Sequence, residues 1–179
     1  MIAQHWPLYI PVLLTLADDN STPIRRRGLL LMADFLSKIP SKTLRSTGLA
    51  SVFEDAVFPT FAFLPSLTPD DESLQLLPPA YEVLRKLARK RAEADTELGS
   101  GEKEKMALLD KVMREGVFMG YFHAKEHVRV VEVLCRETRI ILGEMGVHGV
   151  KHLKVRKESR TENGLGPWTT QGLTTTCRT

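Results

Sequence analysis

Apolar residues recur at spacings of three and four along almost the whole chain, and strict alternation is nearly absent. A helix returns to one face about every 3.6 residues and a strand every second residue, so this pattern assigns the chain to the all-α class. The first helix is expected over about Trp6–Ala17, striped by Trp6, Ile10, Leu13, Leu14 and Ala17. Asp18-Asp19-Asn20-Ser21 is a turn of side chains that bond their own backbone, and Thr22-Pro23 has the form of an N-cap and a first helical residue. The second helix follows over about Pro23–Lys38, with Ile24, Gly28, Leu31, Phe35 and Ile39 facing inward and Leu29, Leu30 and Met32 widening the stripe.

Pro40 ends that helix, and Ser41–Thr47 reads as a connector with a short helical turn at Thr43–Arg45. A third helix is expected over about Leu49–Leu64, bent by Pro59, with Val52, Phe53, Ala56, Val57, Thr60 and Phe61 inside. Thr68-Pro69-Asp70-Asp71-Glu72 is a start signal, with acids on the positive end of the helix. The fourth helix runs from there to about Arg91, striped by Leu74, Leu77, Tyr81, Leu84 and Leu87, with a kink expected at Pro78-Pro79. A charged loop over Ala92–Lys105 precedes a fifth helix over about Glu102–Phe122, carrying Met106, Leu109, Met113, Val117 and Tyr121. The sixth, about Glu126–Met145, carries Val128, Val131, Cys135, Thr138 and Leu142, and a short seventh starts near Val147.

Helices one and two, three and four, and five and six pair as hairpins. A lone hairpin cannot bury its apolar faces, but stacked hairpins can, and repeats of roughly 40–47 residues are the size of HEAT and armadillo units. The expected architecture is an all-α, HEAT/armadillo-like α-solenoid of about three hairpins over residues 1–153.

Much known chemistry is missing from this pattern. The 42% hydrophobic content supports a core, and the formal charge of +3 is small for a dedicated nucleic-acid binder. Cys135 and Cys177 form no disulfide framework or zinc spacing, which favours a reducing compartment. The apolar N-terminus lacks a basic flank and is interrupted by Pro7 and Pro11, so it reads as a core helix rather than a leader, and no apolar run is long enough to span a membrane. His123, His127 and Cys135 lack a fourth ligand, and no glutamate of a metalloprotease motif lies between His148 and His152. With no phosphate-cradling loop and no nucleophile motif, neither an enzyme nor a cofactor or metal site is expected.

The stretch LADDNSTPIRRRGLLLMADFL places three arginines at the head of an apolar helix. Asp18 and Arg25 are candidates for bracing the turn. Arg26 and Arg27 fall on the solvated side, where an acidic partner or a phosphate could meet them.

The segments TPIRRRGLLLMADFL, GLASVFEDAVFPTFAFLPSLTPDDESLQLL and AYEVLRKL resemble the Tti-two family, most specifically from Gly48 to Pro69, and the resemblance spans Pro23 to about Lys154. It implies a non-enzymatic HEAT-like scaffold subunit of the TTT complex, with Tti-one and Tel-two as partners, and a repeat domain over residues 1–153 that is incomplete at both ends. It further implies work with Hsp-ninety and its adaptors in the maturation and stability of phosphatidylinositol-kinase-related kinases, the mTOR and ATM class. Cytoplasmic and nuclear localisation follows, with no membrane and no nucleic-acid partner. The alternative is a generic HEAT adaptor in transport or nucleic-acid assemblies. Within VFEDAVFP the apolar positions are expected in the core, leaving Glu54 and Asp55 exposed as candidate partner contacts. After VKHLK the family's apolar continuation gives way to an aperiodic, threonine-rich stretch, so residues 154–179 are expected to form a disordered tail and a candidate gene-model artefact starting near Val155.

Overall fold

The computed structural model describes residues 2–94 and 99–152. The chain divides into two compact units, residues 1–146 and 147–179. In the first, every regular element among the described residues is helical: α1 Ile2–Ala17, α2 Thr22–Lys38, α3 Ser41–Ser46, α4 Leu49–Val57, α5 Asp70–Glu93, α6 Ser100–Lys111, α7 Met119–Ala124 and α8 Val128–Met145. A 3-10 turn at Phe58–Ala62 follows α4, and a π-helical stretch at Val112–Phe118 joins α6 to α7. In the second unit the described residues, 147–152, hold the end of the 3-10 turn Gly146–Gly149 and a short helical start. The disordered tail expected over 154–179 lies outside the described residues.

The amphipathic stripes build a core around α5. Leu76, Leu77, Ala80, Tyr81, Val83, Leu84, Leu87 and Ala88 of α5 are all within 1% of complete burial, so it is covered on nearly every side. It packs against α2, α4, α6 and α8, while α1 rests on α2 and touches α4. The short α3 packs on α4 and α5, α7 packs on α8, and α2, α5 and α8 pack in succession.

Local chemistry sets the boundaries. Asp70, Asp71 and Glu72 occupy the first turn of α5 and Lys90 and Arg91 its last, matching the helix dipole at both ends. The helix continues unbroken through Pro78 and Pro79. Gly48 links α3 to α4 at φ 69°, a left-handed conformation that a side chain would strain. Ser41–Ser46 is a helix in its own right and not a connector, with Leu44 buried beneath it.

Several expected faces are rotated. On α2, Ile24 and Leu31 point outward, and the buried stripe runs through Arg25, Leu29, Met32, Leu36 and Ile39, with Gly28 and Phe35 beside it. Thr22 is the first residue of α2 and Ser21 stands before it. The Thr22 hydroxyl bonds the Glu72 carboxylate instead of capping its own helix. Val52, expected inside, is 41% exposed, whereas Phe53, Val57, Thr60 and Phe61 are buried. The third helix stops at Val57 because Pro59 lacks an N–H and crowds the carbonyl four residues back, so the chain tightens to 3-10. Tyr121 is turned out by the π stretch, which adds a residue to one turn and shifts every later face. On α8, Val128 and Cys135 face solvent, and Val130, Val133, Leu134, Glu137, Ile141 and Met145 face inward.

Candidate functional site

The turn between α1 and α2 is held by main-chain and aromatic contacts. Asp19 Oδ1 accepts the Ser21 N–H at 2.7 Å. The Arg25 side chain is buried, lies 4.1 Å over the Phe63 ring and donates from Nη2 to the Asp18 carbonyl at 3.2 Å. The Asp18 carboxylate is 4.0 Å away and 95% exposed, so its charge adds little. What Arg25 grips is the Asp18 main chain and the Phe63 ring.

Arg26 and Arg27, one and two positions on, are exposed and make no ion pair among the described residues. Arg26 borders a cavity of about 310 Å³, walled also by Leu30, by Pro78, Pro79, Glu82 and Arg85 of α5, and by Glu137 of α8. The other charges there are matched internally. Arg85 Nη2 lies 3.4 Å from Glu137 Oε2, Arg136 Nε 3.5 Å from Glu137 Oε1, and Lys86 Nζ 3.0 Å from Glu82. Arg89 pairs with Glu144 at 2.6 Å. Burial raises the Glu137 carboxyl above its ordinary value, against the opposing pull of Arg85 and Arg136. Burial, and then the Glu137 charge, raises the Tyr81 phenol as well, and its hydroxyl has no hydrogen-bond partner among the described residues. Among the described residues, Arg26 is thus the one charge lining this cavity that has no ion pair.

Glu54 is a correction to the expected exposed contact. Its carboxylate is 14% exposed and joins three helices, accepting from Arg91 Nη2 of α5 at 2.7 Å and from Lys111 Nζ of α6 at 2.9 Å. The Lys111 ammonium also lies 4.2 Å over Phe58. Burial alone would raise the Glu54 carboxyl, but the bonds from Lys111 and Arg91 outweigh it and hold the group below its ordinary 4.5. Asp55, the next residue, is exposed. The two acids therefore do different jobs: one closes an internal network and the other faces solvent.

A pH dependence follows from that network. A carboxyl lowered on folding stabilises above its unfolded value and loses that contribution as pH falls through its folded value. Glu54→Gln should lower stability by about 1 kcal/mol at neutral pH, a figure discounted for the solvent on its open side. The gap from the wild type should begin to narrow as pH falls below 4.5 and close only below the folded-state value of Glu54, which lies lower still, where both side chains are uncharged. Urea melts of the two proteins across this range check it, and a gap that persists in acid would exclude the ion pairs as its source.

Among the described residues no three His, Cys, Asp or Glu side chains are placed to hold a metal ion. His123 and Cys135 are exposed, and His127 sits 3.0 Å from the Asp70 carboxylate. No described helix is long and apolar enough to cross a membrane.

Residues 1–155 match the model of the Tti2 family, written Tti-two above. The chain belongs to the Tti2 family. The match takes in α1, ahead of Pro23 where the motif resemblance begins. No curated protein and no solved structure matches the chain. Tti2 membership supports a place as a non-catalytic subunit of the TTT complex. Reading the Tti2 sequence alone misses the Arg91, Lys111, Arg85 and Glu137 partners. Each pair spans 37 or more positions of chain, and only the fold brings its members together.

Proposed function

We propose that this Tti2 chain is a HEAT-like scaffold subunit of the TTT co-chaperone complex. In this reading it joins Tti-one and Tel-two, and through them supports the maturation and stability of phosphatidylinositol-kinase-related kinases, the mTOR and ATM class, with Hsp-ninety and its adaptors. It acts in the cytoplasm and nucleus by presenting helix faces, and binding area does the work that chemistry does in an enzyme. The match over residues 1–155 carries the proposal. The succession of α2, α5 and α8 supports a solenoid-like stacking of hairpins.

Co-purification of the full chain with Tti-one and Tel-two at low and high salt tests it. A largely apolar subunit interface keeps the three proteins together as salt rises. A chain that stays apart from both subunits, yet binds nucleic acid with a steep loss in salt, would replace this reading with the generic adaptor.

A further inference from the structure

The segment from Phe58 to Leu67 and the helical run from Val112 to Ala124 enclose a groove of about 360 Å³. Phe58, Phe61 and Leu64 form its inner wall, and Leu67 and Met119 stand at its rim, 81% and 50% exposed. Leu67 is held in place: its N–H and that of Thr68 both donate to the Leu64 carbonyl, at 2.8 and 2.9 Å, and Pro65 and Pro69 flank the turn. An apolar side chain presented on a closed turn loses little freedom when something covers it. Phe122, one helical turn beyond Met119 and 71% exposed, continues the patch.

A charge constrains the occupant. Glu115 lines the groove, is exposed, and makes no ion pair among the described residues. The nearby cation, Lys111, is already committed to Glu54 and seated on Phe58. The Glu115 charge acts on Lys111 from a distance, but among the described residues no cation sits in ion-pair contact with it, so the groove combines apolar anchor points with an exposed carboxylate. The other uncovered apolar face, Leu8, Tyr9 and Val12 of α1, lies on a helix with no charged residue and offers nothing to select a partner.

We propose that this groove seats an amphipathic helix of a TTT partner subunit. Its apolar residues, spaced one helical turn apart, cover Leu67, Met119 and the Phe58–Phe61 wall, and a lysine or arginine beside them pairs with Glu115. The inference rests on the TTT reading. The test is a binding titration of the full chain against a purified complex of Tti-one and Tel-two. Leu67→Glu with Met119→Glu should weaken binding about tenfold or more while the far-UV dichroism stays native, since both side chains are exposed. Glu115→Lys should weaken it several-fold, and added salt should shrink that difference. Either folded variant binding like the wild type overturns the groove and leaves the TTT reading standing. If the double variant fails to fold, Glu115→Lys decides alone. A wild-type chain that does not bind overturns both.

Discussion

Substituting valine for Gly28 is expected to lower the stability of the chain by about 3 kcal/mol. A Cβ at this position would lie 2.6 Å from the Leu16 carbonyl carbon, 2.7 Å from the Ala17 nitrogen and 2.8 Å from the Leu16 Cβ. The two closest atoms are main chain, so no rotamer change can relieve the contact. Either α1 moves off α2 or the valine distorts its own helix. Even alanine, which gains about 1 kcal/mol of helix propensity over glycine, meets the same clash. Urea denaturation followed by far-UV circular dichroism measures the loss. A cost under about 1 kcal/mol would mean that the last turn of α1 does not sit on Gly28.

Phe53→Ala should cost about 3–5 kcal/mol, the range for removing a buried aromatic ring. The side chain is fully buried on α4, and its ring meets Phe35 of α2 edge-on, with centroids 5.9 Å apart and planes at 77°. Truncation removes the ring's apolar area and leaves a void that flanking helices cannot fill without shifting. A cycle with Phe35→Ala separates the two contributions. Edge-to-face pairing adds about 0.5–1.5 kcal/mol beyond burial, so the double variant should lose less than the sum of the singles by about that amount. Strict additivity would mean that the rings share a core but not a contact.

These sites show what can be read from one chain. Helix existence follows from periodicity, and Thr68–Glu72 and Lys90–Arg91 mark both ends of α5 in plain sequence. Phase is harder. The run Leu29-Leu30-Leu31-Met32 is apolar on every side, so several inward faces fit equally well. The face adopted is the one that puts Gly28 against α1 and Arg25 under the turn. On α8 the inward face includes Glu137, which an apolar count rejects, and it is offset there by Arg85 arriving from α5 and by its neighbour Arg136. The rotation of Tyr121 has its origin in the π stretch, for which the residues Val112–Phe118 carry no punctuation.

The candidate contacts divide along the same line. Arg26, Arg27 and Asp55 face solvent, which the local pattern allows one to expect. Glu54 does not, because its environment is made by two helices that follow it in the chain. Leu67 looks like an ordinary loop residue until the twin bonds to the Leu64 carbonyl fix it beside the groove.

The uninterrupted passage of α5 through Pro78 and Pro79 has a mechanical consequence. Two successive residues without an N–H deprive the Leu74 and Gln75 carbonyls of their partners four positions on, so two adjacent rungs are missing from the ladder of the central helix. Bending stiffness there is lower than on either side. A load applied across the first unit would concentrate as curvature at this point and open or narrow the space beside Arg26. The innermost helix would then behave as a spring with one soft coil.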